Sequence, residues 1–301
     1  MRASGVERFA YPVNSLADLD RVMDAALAAR LEPGESIRKI VVAPRQSHLG
    51  QLRGWRRWLS ALLPWEWTPE WVLVLTTRGL LVAIVPRPGE PPTVVSIPTA
   101  RLLWIEIGEI LLYGWFECAW AGQGKVQHQR VYFNTVGDEL FHSIRVALCR
   151  DVIAGTGLAS KAGRRDLDPL RPLPFKFMNI IGHHLLLPDE TVEAVVYRPA
   201  IWEKRLGLFS HQRAPAVALV LSNYHLLIAE EDRSDSEVSY GLSARFCPRA
   251  RLRRFDIVEK EDERELWLQV TVGLDEAEET WALLFPTRFR PALLDLAALL
   301  L

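Results

Sequence analysis

Leu31-Glu32-Pro33-Gly34-Glu35-Ser36-Ile37 returns later in the chain as Leu186-Leu187-Pro188-Asp189-Glu190-Thr191-Val192. Two further markers recur in the same order. Leu73-Val74-Leu75-Thr76 with Leu80-Leu81-Val82-Ala83 is echoed by Leu219-Val220-Leu221-Ser222 with Leu226-Leu227-Ile228-Ala229, and Pro98-Thr99-Ala100-Arg101-Leu102 by Pro248-Arg249-Ala250-Arg251-Leu252. The offsets are 155, 146 and 150 residues (186 − 31, 219 − 73 and 248 − 98). Solenoid units repeat every 20–50 residues or so, and this spacing is that of a duplicated domain. The expected organisation is a domain at 1–155, a linker at 156–174 dense in Gly, Pro and Arg, and a second domain at 175–301.

Each expected domain is long enough to bury its own core. Of the 301 residues, 49% are hydrophobic and 24% charged, the balance of a globular protein rather than a disordered one. The formal net charge of −1 supplies no global field, so no nucleic-acid partner is expected. Cys118, Cys149 and Cys247 form no CxxC and have no His at zinc-finger spacing. They read as buried thiols in a reduced, cytoplasmic setting. Residues 1–13 carry charges and no apolar run of signal-peptide type, and no stretch is long and apolar enough to span a bilayer, so any membrane contact is peripheral.

Within the first repeat, Ser15 and Asp18 read as the capping box of a helix carrying Leu16, Leu19, Val22, Met23 and Leu27. Strands are expected at 37–42, 71–75, 80–85, 94–97, 102–110, 112–120 and 125–133, with Gly79 taking a positive φ in the turn after Thr76-Thr77-Arg78. Leu140, Phe141, Ile144, Leu148 and Val152 then switch to helical spacing. The second repeat follows the plan: a leading helix at 175–186, strands near Val192, Val217, His225, Val238, Arg251, Glu265 and Thr280, and a closing helix with Pro291 in its first turn.

Seven strands followed by one helix, with the Pro33-Gly34-Glu35 and Pro188-Asp189-Glu190 turns, the apolar hairpin at Thr76-Thr77-Arg78-Gly79, and Ile97-Pro98 leading to Arg101-Leu102, resemble bacterial pleckstrin-homology-like and GRAM-like domains. The resemblance runs through nearly the whole chain, twice. It implies a mainly β, α+β fold of two seven-stranded barrels or orthogonal sandwiches, each with a leading helix and a C-terminal closing helix. Neither closing helix carries the Trp common in eukaryotic members, and the strand at 71–75 has no Lys or Arg to grip phosphoinositides.

Function is sought in the connection between the first two strands of each repeat. Arg45, Arg53, Arg56 and Arg57 alternate with Trp55, Trp58, Trp65 and Trp67, and no acidic residue occurs between Glu35 and Glu66. Trp favours the boundary between apolar and wet phases, and Arg offers a planar fork to anions. The same connection in the second repeat holds Arg198, Trp202, Lys204 and Arg205. Three readings stand open: Trp rings covering the barrel under Arg stems, a surface for a protein or peptide, and an interfacial segment on anionic lipid. Arg249, Arg251 and Arg253 are expected on one strand face, paired with the acidic run at 259–265.

The inventory for catalysis is thin. Gly122-Gln123-Gly124-Lys125 lacks the spacing of a phosphate loop and reads as a hairpin turn. His183 and His184, adjacent on a helix, point about 100° apart and cannot share a metal. His128 and His142 show no partner at ligand spacing, and neither G-x-S-x-G nor H-E-x-x-H occurs. The expectation is a noncatalytic interaction or scaffold module with no metal and no cofactor. Its partner is a protein or peptide, or alternatively an anionic membrane surface, and its oligomeric state is not read from the sequence.

Overall fold

The Leu- and Val-rich runs after Pro69 pair as a hairpin in the computed structural model, which describes residues 9–46, 68–156, 167–205, 209–231, 241–259 and 264–300. Strand β3 (Glu70–Thr76) lies antiparallel to β4 (Gly79–Val85), with Leu75 opposite Leu80. Both are apolar on both faces and buried almost throughout, so they fill the centre of a sheet. Its order is β1-β2-β3-β4-β5, with β1 at Tyr11–Val13, β2 at Ile37–Ala43 and β5 at Thr93–Pro98.

Helix α1 (Arg21–Ala28) precedes β2, and after β5 a meander of β6 (Leu102–Ile110), β7 (Tyr113–Gly122) and β8 (Lys125–Asn134) leads to the longer helix α2 (Asp138–Gly155). The second repeat gives helix α3 (Phe175–Ile180), then β9 (Val192–Arg198), a hairpin of β10 (Ile201–Arg205) and β11 (Phe209–Ala214), then β12 (Val217–Ser222), β13 (His225–Glu231) and β14 (Gly241–Pro248). Strands β15 (Leu252–Glu259), β16 (Glu265–Leu274) and β17 (Ala277–Pro286) form a second meander before helix α4 (Arg290–Ala298). Besides the five-stranded sheet, the hydrogen-bonded orders are β8-β7-β6-β14-β13-β12-β9, β15-β16-β17 and β10-β11. The chain is mainly β with helices. Among the described residues none of these sheets closes into a barrel.

The chain forms two compact units: Met1–Leu102 with Glu109–Cys118 and Gln129–Leu148, and Leu103–Gly108 with Ala119–His128 and Cys149–Leu301. In the first, Met23 and Leu27 of α1 pack with Ile40, Val42, Val72, Val74, Leu81 and Ala83. In the second, Leu219, Leu221, Leu226, Leu268 and Val270 pack with Leu293 and Leu296 of α4. Each fully buried aliphatic side chain contributes about 1.5–3 kcal/mol of transfer free energy, so these faces carry most of the cohesion.

Four local expectations are corrected. Ser15 and Asp18 do form a capping box, but over a single 3-10 turn at Leu16–Asp18; α1 starts afresh with Asp20, whose carboxylate accepts from Val22 and Met23 N–H at 3.1 and 2.9 Å. Gly79 does not have a positive φ. It is needed because a Cβ there would sit 2.2 Å from the Ile97 carbonyl oxygen on β5. The helix expected at 175–186 is α3 followed by a π-turn at Ile181–Leu185. The connection after β9, where no strand is expected between those near Val192 and Val217, contains the β10–β11 hairpin. The turn at Gln123-Gly124 is a hairpin turn as expected, both residues having positive φ (51° and 75°).

Candidate functional site

The arginines expected at the partner-binding connection divide between internal contacts and undescribed sequence. Arg45 follows β2 and donates to the Val85 and Pro86 carbonyls at 2.8 and 2.9 Å, closing the end of β4. Arg53, Trp55, Arg56, Arg57 and Trp58, with Trp65 and Trp67, lie outside the described residues. In the second repeat, Arg198 is 2% exposed, donates to the Pro199 carbonyl at 2.9 Å, and lies over the Phe285 ring at 5.5 Å. Burial pulls its pKa down to about 10 against the opposing pull of Glu230. Trp202 is half-buried on β10, and Lys204 and Arg205 stand opposite Ser210 and Phe209 on β11. Arg249 and Arg251 belong to a 3-10 turn and do not share a strand face with Arg253; Arg249 reaches Glu193, while Arg254 pairs with Glu278 on β17.

The repeated turn does a structural job in both repeats. Glu35 Oε2 accepts the Glu32 N–H at 2.9 Å, and its Oε1 accepts the Thr76 hydroxyl. That hydroxyl in turn accepts the Gly79 N–H at 3.1 Å in the hairpin. Glu190 Oε2 accepts the Leu187 N–H at 2.8 Å, its Oε1 accepts the Ser222 hydroxyl, and Ser222 accepts the His225 N–H at 3.0 Å. Even the flanking bonds match: Thr77 N–H to Ser36 O and Asn223 N–H to Thr191 O, both 3.0 Å. A carboxylate thus pins the incoming turn to the hairpin twice, which explains why Pro-x-Glu and the distant Thr or Ser recur together.

The two pins differ in one respect. His225 stands where the first repeat has Gly79, and its Nδ1 lies 3.1 Å from Glu190 Oε1. Glu190, Ser222 and His225 are 1–2% exposed. Burial works against a charged imidazole, but the Glu190 carboxylate and then Cys149 outweigh it and push His225 up to about 10. The Glu190 carboxyl is correspondingly lowered, His225 overcoming its desolvation. Thiol, imidazole and carboxylate in this order suggest a nucleophile relay, yet Cys149, His225 and Glu190 are each only 1–2% exposed, which closes the thiol off from a substrate in this conformation. What the geometry shows is a buried carboxylate and imidazole tying the incoming turn to the β12–β13 hairpin.

A second cluster, missed in the sequence, joins strands far apart in the chain. The Arg245 guanidinium of β14 lies 4.8 Å from the Trp104 ring and 4.5 Å from the Trp281 ring, and it pairs with Glu106 on β6. Both indole N–H groups donate to Glu279, at 2.8 and 3.0 Å. A cation between two indoles, with carboxylates holding all three, is a rigid polar joint. It has no room for a ligand cation, because Arg245 fills that position. In the first unit, Arg130 lies over Trp115 at 5.8 Å and pairs with Glu117, and Tyr113 stacks on Tyr132 at 5.4 Å.

One set of side chains has the composition of a metal centre. Glu109 near the end of β6, with Asp138 and His142 in the first turns of α2, bring one donor atom each within 4.8 Å of one another. His142 Nε2 is 3.2 Å from Glu109 Oε1. The partner missing from the reading of His142 was Asp138, four residues earlier on the same helix face. Among the described residues, no helix is long and apolar enough to cross a membrane. No protein-family model matches the chain, and no curated protein is similar to it.

Proposed function

We propose that this chain is a noncatalytic recognition module built from two PH-like halves, and that the outer edge of β5 takes an extended peptide of a partner protein. The PH-like reading is supported by element order. Each half runs four sheet strands, a three-stranded meander and a helix: β2–β5, β6–β8 and α2, then β9, β12–β14, β15–β17 and α4.

The observation that carries the peptide reading comes from comparing the two halves. Pro98 corresponds to Pro248, so β5 is the counterpart of β14. The outer edge of β14 is hydrogen-bonded to β6, whereas β5 ends its sheet with no strand beyond it among the described residues. An edge of this kind has already accepted a strand once in the same chain. Thr99 N–H donates to Arg78 O, and with the β4 register this turns Val95 and Ile97 toward β4. Val94 and Ser96 are left with N–H and C=O directed outward. The counterpart of β6 is β15, whose edge is guarded by Arg253, Arg254, Asp256 and Glu259; β5, Thr-Val-Val-Ser-Ile-Pro, has no charge to repel an incoming strand. Main-chain pairing along such an edge provides affinity and alternate side chains provide selectivity.

The test is selection of a random displayed-peptide library on the full chain. Enriched peptides are expected to alternate β-branched residues and to lose at least about tenfold in affinity on Ser96→Pro or Val94→Pro, each of which deletes one outward donor. Enriched peptides that bind both variants as tightly as the parent overturn the assignment. So does the enrichment of none, with binding instead to phosphatidylserine vesicles that Trp55→Ala, Arg56→Ala and Arg57→Ala together abolish; that outcome substitutes the membrane reading.

A further inference from the structure

We propose that Glu109, Asp138 and His142 bind one divalent transition-metal ion. The backbone brings the three together from two directions. Asp138 and His142 are four apart on α2 and so share a face, and Glu109 approaches from the end of β6. All three are half-buried, and their donor atoms lie within 4.8 Å of one another.

One observation favours a cation over a simple ion pair. Glu109 and Asp138 are like charges at close range, and one imidazole, even protonated, offsets only one of them. A divalent ion offsets both. The Glu109 Oε1 to His142 Nε2 distance of 3.2 Å is that of a hydrogen bond and also fits two ligands of one ion, since bonds of about 2.0–2.1 Å put neighbouring donors about 3.0–3.4 Å apart. One Asp138 oxygen, Oδ1, accepts the Glu139 N–H at 2.6 Å.

The donor set selects the class of ion. One imidazole and two carboxylates suit Zn2+, Mn2+, Fe2+, Co2+ or Ni2+, whereas Mg2+ and Ca2+ prefer oxygen donors alone. Three protein ligands leave coordination positions for water or for an anionic group of a ligand. The remaining ring nitrogen sets the affinity. His142 Nδ1 is buried with no hydrogen-bond partner among the described residues. Metal on Nε2 transfers the ring proton to Nδ1, where no acceptor stands behind it, and lack of that support costs tenfold or more in affinity. The site is therefore an exchangeable one, saturating with added metal and emptied by a chelator.

The full chain, stripped with EDTA and dialysed, is titrated with Co2+ by calorimetry and by visible absorption, and with Zn2+ by thermal unfolding. The result expected is one Co2+ per chain with d–d bands, a rise in Tm with Zn2+, and at least about tenfold weaker Co2+ binding in both His142→Gln and Glu109→Gln. His183→Gln with His184→Gln, a pair on the π-turn after α3, leaves binding unchanged. Asp138→Asn decides the matter should either of the other variants fail to fold by circular dichroism. Absence of saturable Co2+ binding overturns the site, as does binding of parental affinity in the folded variants.

Discussion

Replacing Glu190 by Ala removes three bonds from a site that water does not reach. The Leu187 N–H loses its acceptor at 2.8 Å, the Ser222 hydroxyl loses its acceptor, and His225 loses the carboxylate 3.1 Å from its Nδ1. Truncating one partner of a buried ion pair costs about 3–5 kcal/mol, most of it from the charge left behind. Glu35→Ala removes the equivalent carboxylate from the first repeat, where it is half-buried and Gly79 stands in place of the histidine. Only two hydrogen bonds are lost, one of them exposed, and the buried Thr76 hydroxyl keeps the Gly79 carbonyl as an acceptor at 3.2 Å, so the cost is about 1–2 kcal/mol. Urea denaturation of the parent and the two variants, followed by far-UV circular dichroism, measures both. A double-mutant cycle of Glu190→Ala with His225→Ala should give a coupling of about 2–3 kcal/mol. The reasoning fails if the two single substitutions cost the same, or if Glu190→Ala lies within about 1 kcal/mol of the parent.

The same pair gives a pH dependence of known sign. Glu190 is held below its ordinary 4.5, so its contribution is present above that value and disappears as pH falls through the folded pKa. His225 is raised from 6.5 to about 10, so its contribution is complete below 6.5 and fades as pH rises to about 10. Parent stability should therefore decline over pH 6.5–10 more steeply than that of His225→Ala, as followed by urea midpoints. Arg245→Ala, which empties the space between Trp104 and Trp281 and takes the guanidinium from Glu106, should cost about 2–4 kcal/mol, with Arg245→Lys recovering less than half because an ammonium cannot stack on both indoles. Gly79→Ala should destabilise, reversing the gain of about 0.4–1 kcal/mol that Gly→Ala gives where space allows, because its Cβ meets the Ile97 carbonyl at 2.2 Å; a thermal scan reads the sign.

Local patterning made the strands and closing helices legible. Alternation and apolar runs marked β3, β4 and β6–β8, and helical spacing marked Phe141, Ile144, Leu148 and Val152, all buried in α2. The recurrence of Pro-x-Glu was legible too, but its meaning was not, since Glu190 and Ser222 are 32 residues apart and only the fold brings them into contact. Gly79 was misread because a glycine after a turn resembles one needing a positive φ, whereas here the constraint is the approach of β5 from another part of the sequence. Two cap residues lay within reach of one another, and the structure uses Ser15 for a 3-10 turn and Asp20 for α1. Composition drew attention to Arg and Trp, yet a planar cation is equally suited to closing carbonyl ends, as Arg45 does, or to being sandwiched between indoles, as Arg245 is. Asp138 and His142 were readable as neighbours on a helix; Glu109, 29 residues before Asp138 (138 − 109), was not. Strand register, a property of pairs distant in sequence, accounts for most of what composition and spacing left out.

The most direct test of the proposed recognition edge is residue-resolved amide hydrogen exchange on the free chain. Val94 and Ser96 on β5 correspond to Ala244 and Phe246 on β14, and in both strands these are the amides turned away from the neighbouring strand of the same half. Because β6 covers the edge of β14, Ala244 and Phe246 should exchange slowly, while Val94 and Ser96 exchange at near-unprotected rates beside slow Val95 and Ile97. Equal protection at all four outward amides would mean that the β5 edge is already occupied, and the proposed binding strand would have nowhere to add.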